Sequence, residues 1–123
     1  MSNGIVSVSE REWRLYLADM LQFAQHVLQY TEGLDQSRFV VSGLNYDATL
    51  RKLELIGEAA NQVPDDVRKT FPQIPWRQVI ATRNRVAHGY LGLDNDTLWS
   101  IIQDDVPELI RHLEAIGGLD RDS

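Results

Sequence analysis

Apolar residues recur at the spacing of one helical face in three long stretches of the chain, and that periodicity sets the first outline of the fold. Trp13, Leu17, Met20, Leu21, Ala24, Val27 and Leu28 form the first stripe, and Ser9 followed three residues later by Glu12 has the form of a capping box. A helix from about Ser9 to Thr31 is predicted. Glu32 to Ser42, with Gly33 and Gly43 near its ends, reads as a turn into the next helix. That helix starts at Asn45, presents Leu50, Leu53, Ile56, Gly57, Ala60 and Val63 on one side, and stops at Pro64. Gly57, Ala59 and Ala60 are small enough for another helix to come close there.

Pro64 with Asp65 and Asp66 suits the first turn of a short helix reaching about Phe71. The two prolines of Pro72-Gln73-Ile74-Pro75-Trp76 forbid a continuous helix and fix the entry into the next one, predicted from Trp76 to about His88. The last stripe, Leu98, Trp99, Ile101, Ile102, Leu109, Ile110, Leu113 and Ile116, begins after Asp94 to Asp96, should kink or divide at Pro107, and ends at Gly117-Gly118. No stretch alternates apolar and polar residues as a strand does, and no repeat is present. The expected class is all-α: four main helices plus one short extra helix in a single domain spanning 1–123, with a core over about 9–117 and a loose tail over 118–123.

The 123 residues include no cysteine, which removes disulfides, thiolate metal sites and a cysteine nucleophile, and suits a reducing compartment. The opening Met1 to Val8 lacks a basic start and a long apolar run, and no later segment has the length of a membrane span, so a soluble cytoplasmic protein is expected. A net charge of −6 argues at first against nucleic acid. Its distribution argues otherwise. From Val67 to Leu93 there is no Asp or Glu, while Arg68, Lys69, Arg77, Arg83 and Arg85 contribute +5, so the rest of the chain carries −11 of the total −6. A basic patch on an acidic body fits an anion site, although a solvated helix face lacking acids gives the same pattern.

That stretch also holds the densest chemistry, Arg83-Asn84-Arg85-Val86-Ala87-His88-Gly89-Tyr90. Arg83 offers a planar fork of donors matched to phosphate oxygens, and His88 can take or give a proton near neutral pH. Gly89 just past the helix end would leave His88 in the last turn, where the negative helix terminus favours imidazolium, and where a histidine can equally serve only to cap carbonyls. Other chemistries lack their residues. There is no serine in a nucleophile elbow, no GxxxxGK[ST] or GxGxxG loop, and His26, His88 and His112 lack paired metal-ligand spacing. His26 and His112 read as helix-surface residues, and Glu54 and Glu58, with Arg51 nearby, as a solvated or ion-paired face. What remains is proton transfer and charge stabilisation by His88 and Arg83; on RNA such a pair can act without metal, a base deprotonating the 2′-hydroxyl, its oxygen attacking phosphorus, and an acid protonating the leaving 5′-oxygen.

Residues five apart on a helix diverge by ~140°, so Arg83 and His88 do not share a face. A frayed last turn or a long Arg reach would join them; a two-fold homodimer is another solution and the one expected, since it brings two arginines and two histidines to one cleft and two histidines supply both acid and base.

Arg83-Asn84-x-x-x-His88-x-Tyr90 resembles the Arg-x4-His motif of HEPN domains with a polar residue after the arginine, in the form with a following Tyr that marks HepT toxins. Leu53-Glu54-Leu55-Ile56-Gly57-Glu58-Ala59-Ala60, then Pro72 to Trp76, Trp99-x-Ile101-Ile102 and Asp105-Val106-Pro107 follow in the order of HepT-like proteins, over about Trp13 to Leu113. The resemblance implies a HEPN-type helical homodimer that cleaves RNA as an endoribonuclease without metal or cofactor. It assigns Arg83 and His88 catalytic roles and makes Asn84 the polar residue that orients them. Tyr90 takes the position at which an MntA-like nucleotidyltransferase antitoxin transfers AMP, while Arg77 and Arg85 are candidates for holding RNA phosphates. Two other readings stay open: a non-catalytic helical partner or regulatory subunit of a nucleotidyltransferase, and a nucleotide-binding module built on Arg77, Arg83 and Arg85.

Overall fold

The structure, a computed structural model, describes residues 8–88 and 93–119. Among them every regular element is helical. Helix α1 spans Glu10–Thr31, and the predicted capping box is formed: Ser9 Oγ accepts from the Glu12 N–H at 3.1 Å, and Glu12 Oε1 accepts from the Ser9 N–H at 3.3 Å. The stripe behind it places Leu17, Met20, Ala24 and Val27 in the core. Helix α3, Leu44–Gln62, buries Leu53, Ile56, Gly57, Ala59 and Ala60, and ends where Pro64 forces the preceding backbone to be extended.

The stretch expected as a turn between them contains a helix, α2, over Gln36–Val40. Asp35 caps it by accepting from the Arg38 N–H at 2.9 Å, and Phe39, 1% exposed, packs its ring 5.1 Å from Tyr46 and 5.4 Å from Trp99. Five residues with one buried apolar side chain are too few to show a period, so a cap and an aromatic anchor define this helix in place of a stripe. The short helix expected after Pro64 is α4, Asp65–Thr70, and α2 is a further short helix that the periodicity did not indicate.

Ile74 is buried at 1% exposure within the proline-rich connection, and the Trp76 indole N–H lies 3.1 Å from the carbonyls of both Arg68 and Phe71. These anchors fix the direction in which α5, Trp76–Ala87, leaves. The last helical segment consists of α6, Asn95–Ser100, a π-helical turn over Ile101–Asp105, and α7, Val106–Ile116. Pro107 was expected to kink or divide this segment, and the accommodation sits just before it. Proline cannot donate to the carbonyl four residues back and its ring collides with it, whereas widening the turn lets the Val106 N–H bond to the Ile101 carbonyl and carries the chain past in helical geometry. Beyond Gly117 and Gly118 the chain does not loosen at once, because Leu119 is buried at 5% exposure. Helix α1 packs on α3 and α7, and α3 carries α5 on its other side. No helix among the described residues is long and apolar enough to cross a membrane.

Candidate active site

Helix α5 buries none of its residues, although Val79, Ile80 and Val86 pack against the core from half-buried positions. Its seat on α3 is made at Gly57. A β-carbon there would collide with Arg83 Cβ, lie 2.8 Å from Arg83 Cγ and stand 3.1 Å from the Val79 carbonyl oxygen. Close approach at the small residues of α3 was expected, and the side chain that uses it is Arg83. The Arg83 stem lies on Gly57, and its head reaches two acceptors: one terminal nitrogen donates to Asn84 Oδ1 at 3.0 Å, and the other is 3.7 Å from Glu58 Oε1. Nε is buried without a hydrogen-bond partner. The side chains of Arg83 and Glu58 are 38% and 40% exposed, so the guanidinium is anchored at its base and open at its rim. A planar fork held this way can present donors to two oxygens of one phosphate.

His88 is the residue that caps α5, with its N–H donating to the Asn84 carbonyl at 3.1 Å and its ring exposed. Arg83 points toward α3 while His88 stands one residue past the final turn. Arg77 and Arg85 are exposed, and Arg85 lies close enough to help hold the Asp94 carboxyl below its ordinary range, after the larger effects of the Thr97 backbone N–H and side chain. Asp94 caps α6 by accepting from the Thr97 N–H at 2.7 Å, so the basic end of α5 and the start of α6 are electrostatically joined. Tyr90 lies outside the described residues.

The basic stretch is narrower in space than in sequence. Arg68 is turned away from α5, its Nε donating to the Val63 carbonyl at 2.9 Å and another nitrogen to the Asn61 carbonyl at 3.2 Å, where it satisfies the end of α3. Of the two acids expected on a solvated or ion-paired face, Glu54 pairs with Arg51 at 3.0 Å as that reading implies. Glu58 is ion-paired as well, its partner at 3.7 Å being the motif arginine, Arg83. The clue available in sequence was its place directly after Gly57, the residue at which α5 crosses. His112 pairs with Glu108 at 3.5 Å on α7; His26 is half-buried, and its imidazole is held below the ordinary range by burial and then by Lys52. Among the described residues no three His, Asp or Glu side chains converge as they would around a metal ion. An apolar groove between α3, α5 and the last helical segment is lined by Leu53, Val79 and Leu109, with Asp105 among its lining residues. Burial, then Asp104 and Glu108, push that carboxyl up.

The all-α domain thus carries, on one helix, an arginine seated at a helix crossing and a histidine at the helix end. The family model for HepT-like ribonucleases matches residues 20–116, and the chain belongs to that family. It is 34% identical over 109 residues, 89% of this chain and the full length of the relative, to a Methanocaldococcus jannaschii protein whose name carries a provisional RNase assignment. It is 31% identical over 107 residues to the "Probable ribonuclease HepT" of Thermococcus cleftensis, covering 87% of this chain and 97% of that one. A Caldanaerobacter subterraneus protein, also provisionally named an RNase, is 29% identical over 103 residues. No solved structure matches significantly.

Proposed function

We propose that this ribonuclease is a metal-independent endoribonuclease toxin that works as a two-fold homodimer, with Arg83 and His88 of both protomers meeting in one cleft. The observation that carries the reading is the seating of Arg83: its stem rests on Gly57 and its head is held by Asn84, leaving a partly exposed fork of donors on a helix with no fully buried residue. Such a helix has a face to give to a symmetry mate. In the cleft one imidazole removes the 2′-hydroxyl proton and the 2′-oxygen forms a bond to phosphorus. The bond to the 5′-oxygen breaks as the second imidazole, protonated, delivers its proton there. Arg83 stabilises the charge on the non-bridging oxygens, and the products are a 2′,3′-cyclic phosphate and a 5′-hydroxyl. Arg77 and Arg85 hold flanking phosphates.

The partner is an MntA-like nucleotidyltransferase antitoxin that silences the enzyme by adding AMP to Tyr90. Phosphate charge and an adenosine two residues from His88 would repel and block RNA. Two experiments test these statements. RNA incubated with the protein in excess chelator is expected to yield 2′,3′-cyclic ends; a strict requirement for a divalent ion overturns the mechanism. Incubation with the antitoxin and ATP is expected to add AMP mass to the parent and not to Tyr90→Phe; equal gain in both removes Tyr90 from the scheme.

A further inference from the structure

We infer that Glu58 is a positioning residue for Arg83, and that the Gly57-Glu58 step of α3 sets the angle at which the guanidinium meets a phosphate. The inference rests on the phosphate-binding role proposed for Arg83. An arginine on an open helix surface samples many rotamers, and each misaligned one is unproductive. Arg83 is constrained at both ends. Gly57 gives its Cβ and Cγ a seat that any larger residue would fill, and the head lies between Asn84 Oδ1 on its own helix and Glu58 Oε1 on the neighbouring one.

The length of the ionic contact matters. At 3.7 Å Glu58 attracts the guanidinium charge from beyond hydrogen-bond distance, so it orients the group without consuming an N–H along a bond axis. With both side chains more than a third exposed, the pair is screened and a phosphate can draw on the same donors without breaking a buried ion pair. The carboxylate also carries the same sign as RNA, so it opposes ground-state binding while it favours the productive orientation of Arg83. These two effects separate in kinetics, because one acts on binding and the other on turnover.

Glu58→Gln keeps the shape and removes the charge; Glu58→Asp keeps the charge on a shorter stem. In the full-length dimer, with an RNA oligonucleotide that the parent cleaves, Glu58→Gln is expected to lower kcat about tenfold with KM unchanged or reduced, and Glu58→Asp to recover part of kcat. The melting temperature of both should stay near that of the parent, since an exposed pair adds little stability. A parental kcat in Glu58→Gln overturns the inference, as does a fall in kcat accompanied by a rise in KM or by a lower melting temperature. Arg83→Ala separates this from the wider reading. If Arg83→Ala cleaves as well as the parent, the proposed site fails; if it is inactive while Glu58→Gln turns over normally, only the role of Glu58 fails.

Discussion

Arg83 and Asp105 show how neighbours give residues of ordinary type a particular character. Arg83 is seated on Gly57, and its acceptors come from two helices. Asp105 is held in its neutral form more readily than a free carboxyl, through burial and the nearby Asp104 and Glu108. A carboxyl whose folded pKa is raised costs stability once pH exceeds that pKa, and costs nothing below the unfolded value. Asp105→Asn is therefore expected to raise the melting temperature at pH 7, with the gain fading as pH falls below the ordinary carboxylate range. A variant that melts at or below the parent at pH 7 contradicts this account of the groove. At this scale Arg83, Asn84 and His88 stood out in the sequence as candidates, because their spacing puts an arginine, a polar side chain and a histidine along one helix. Glu58 was visible only as one member of an acidic pair, since nothing in a linear pattern says which of two acids faces a helix that crosses later in the chain. Arg68 was misplaced for the same reason: its charge was legible and its bonds to the end of α3 were not.

The helices themselves were legible wherever a long apolar stripe and a strong cap coincided, as in α1 with Ser9 and Glu12. The two departures have one origin. Helix α2 depends on a single buried ring, Phe39, and the π turn depends on how Pro107 is absorbed by the turn before it; neither leaves a periodic trace. The contact between α3 and α5 is the joint that the site depends on. Gly57→Ala places a β-carbon against the Arg83 stem and near the Val79 carbonyl, and backbone cannot yield as a flexible side chain does. Overpacking of this kind is expected to cost about 1–3 kcal/mol. Chemical denaturation should show that loss together with reduced RNA cleavage, because α5 must shift and carry Arg83 with it. Unchanged stability and cleavage in Gly57→Ala would refute the tight crossing.

On the scale of the whole molecule, α1, α3 and α7 form the packed body and α5 is its least buried long helix. The all-α class was legible from periodicity alone, and membership of the HepT-like ribonuclease family agrees with the resemblance carried by the motifs. The proposed two-fold assembly rests on the ~140° between residues five apart on one helix. If two protomers build one cleft that needs both histidines, a dimer with one intact and one altered subunit is inactive. The most direct measurement is thus the RNA-cleavage rate of dimers formed by dissociating and reassociating equal amounts of parent and His88→Ala protein. A shared cleft predicts about one quarter of the rate given by the same total of parent, because only parent–parent dimers cleave. A rate of about one half would mean that each protomer works alone, and the full parental rate would mean that His88 is not catalytic.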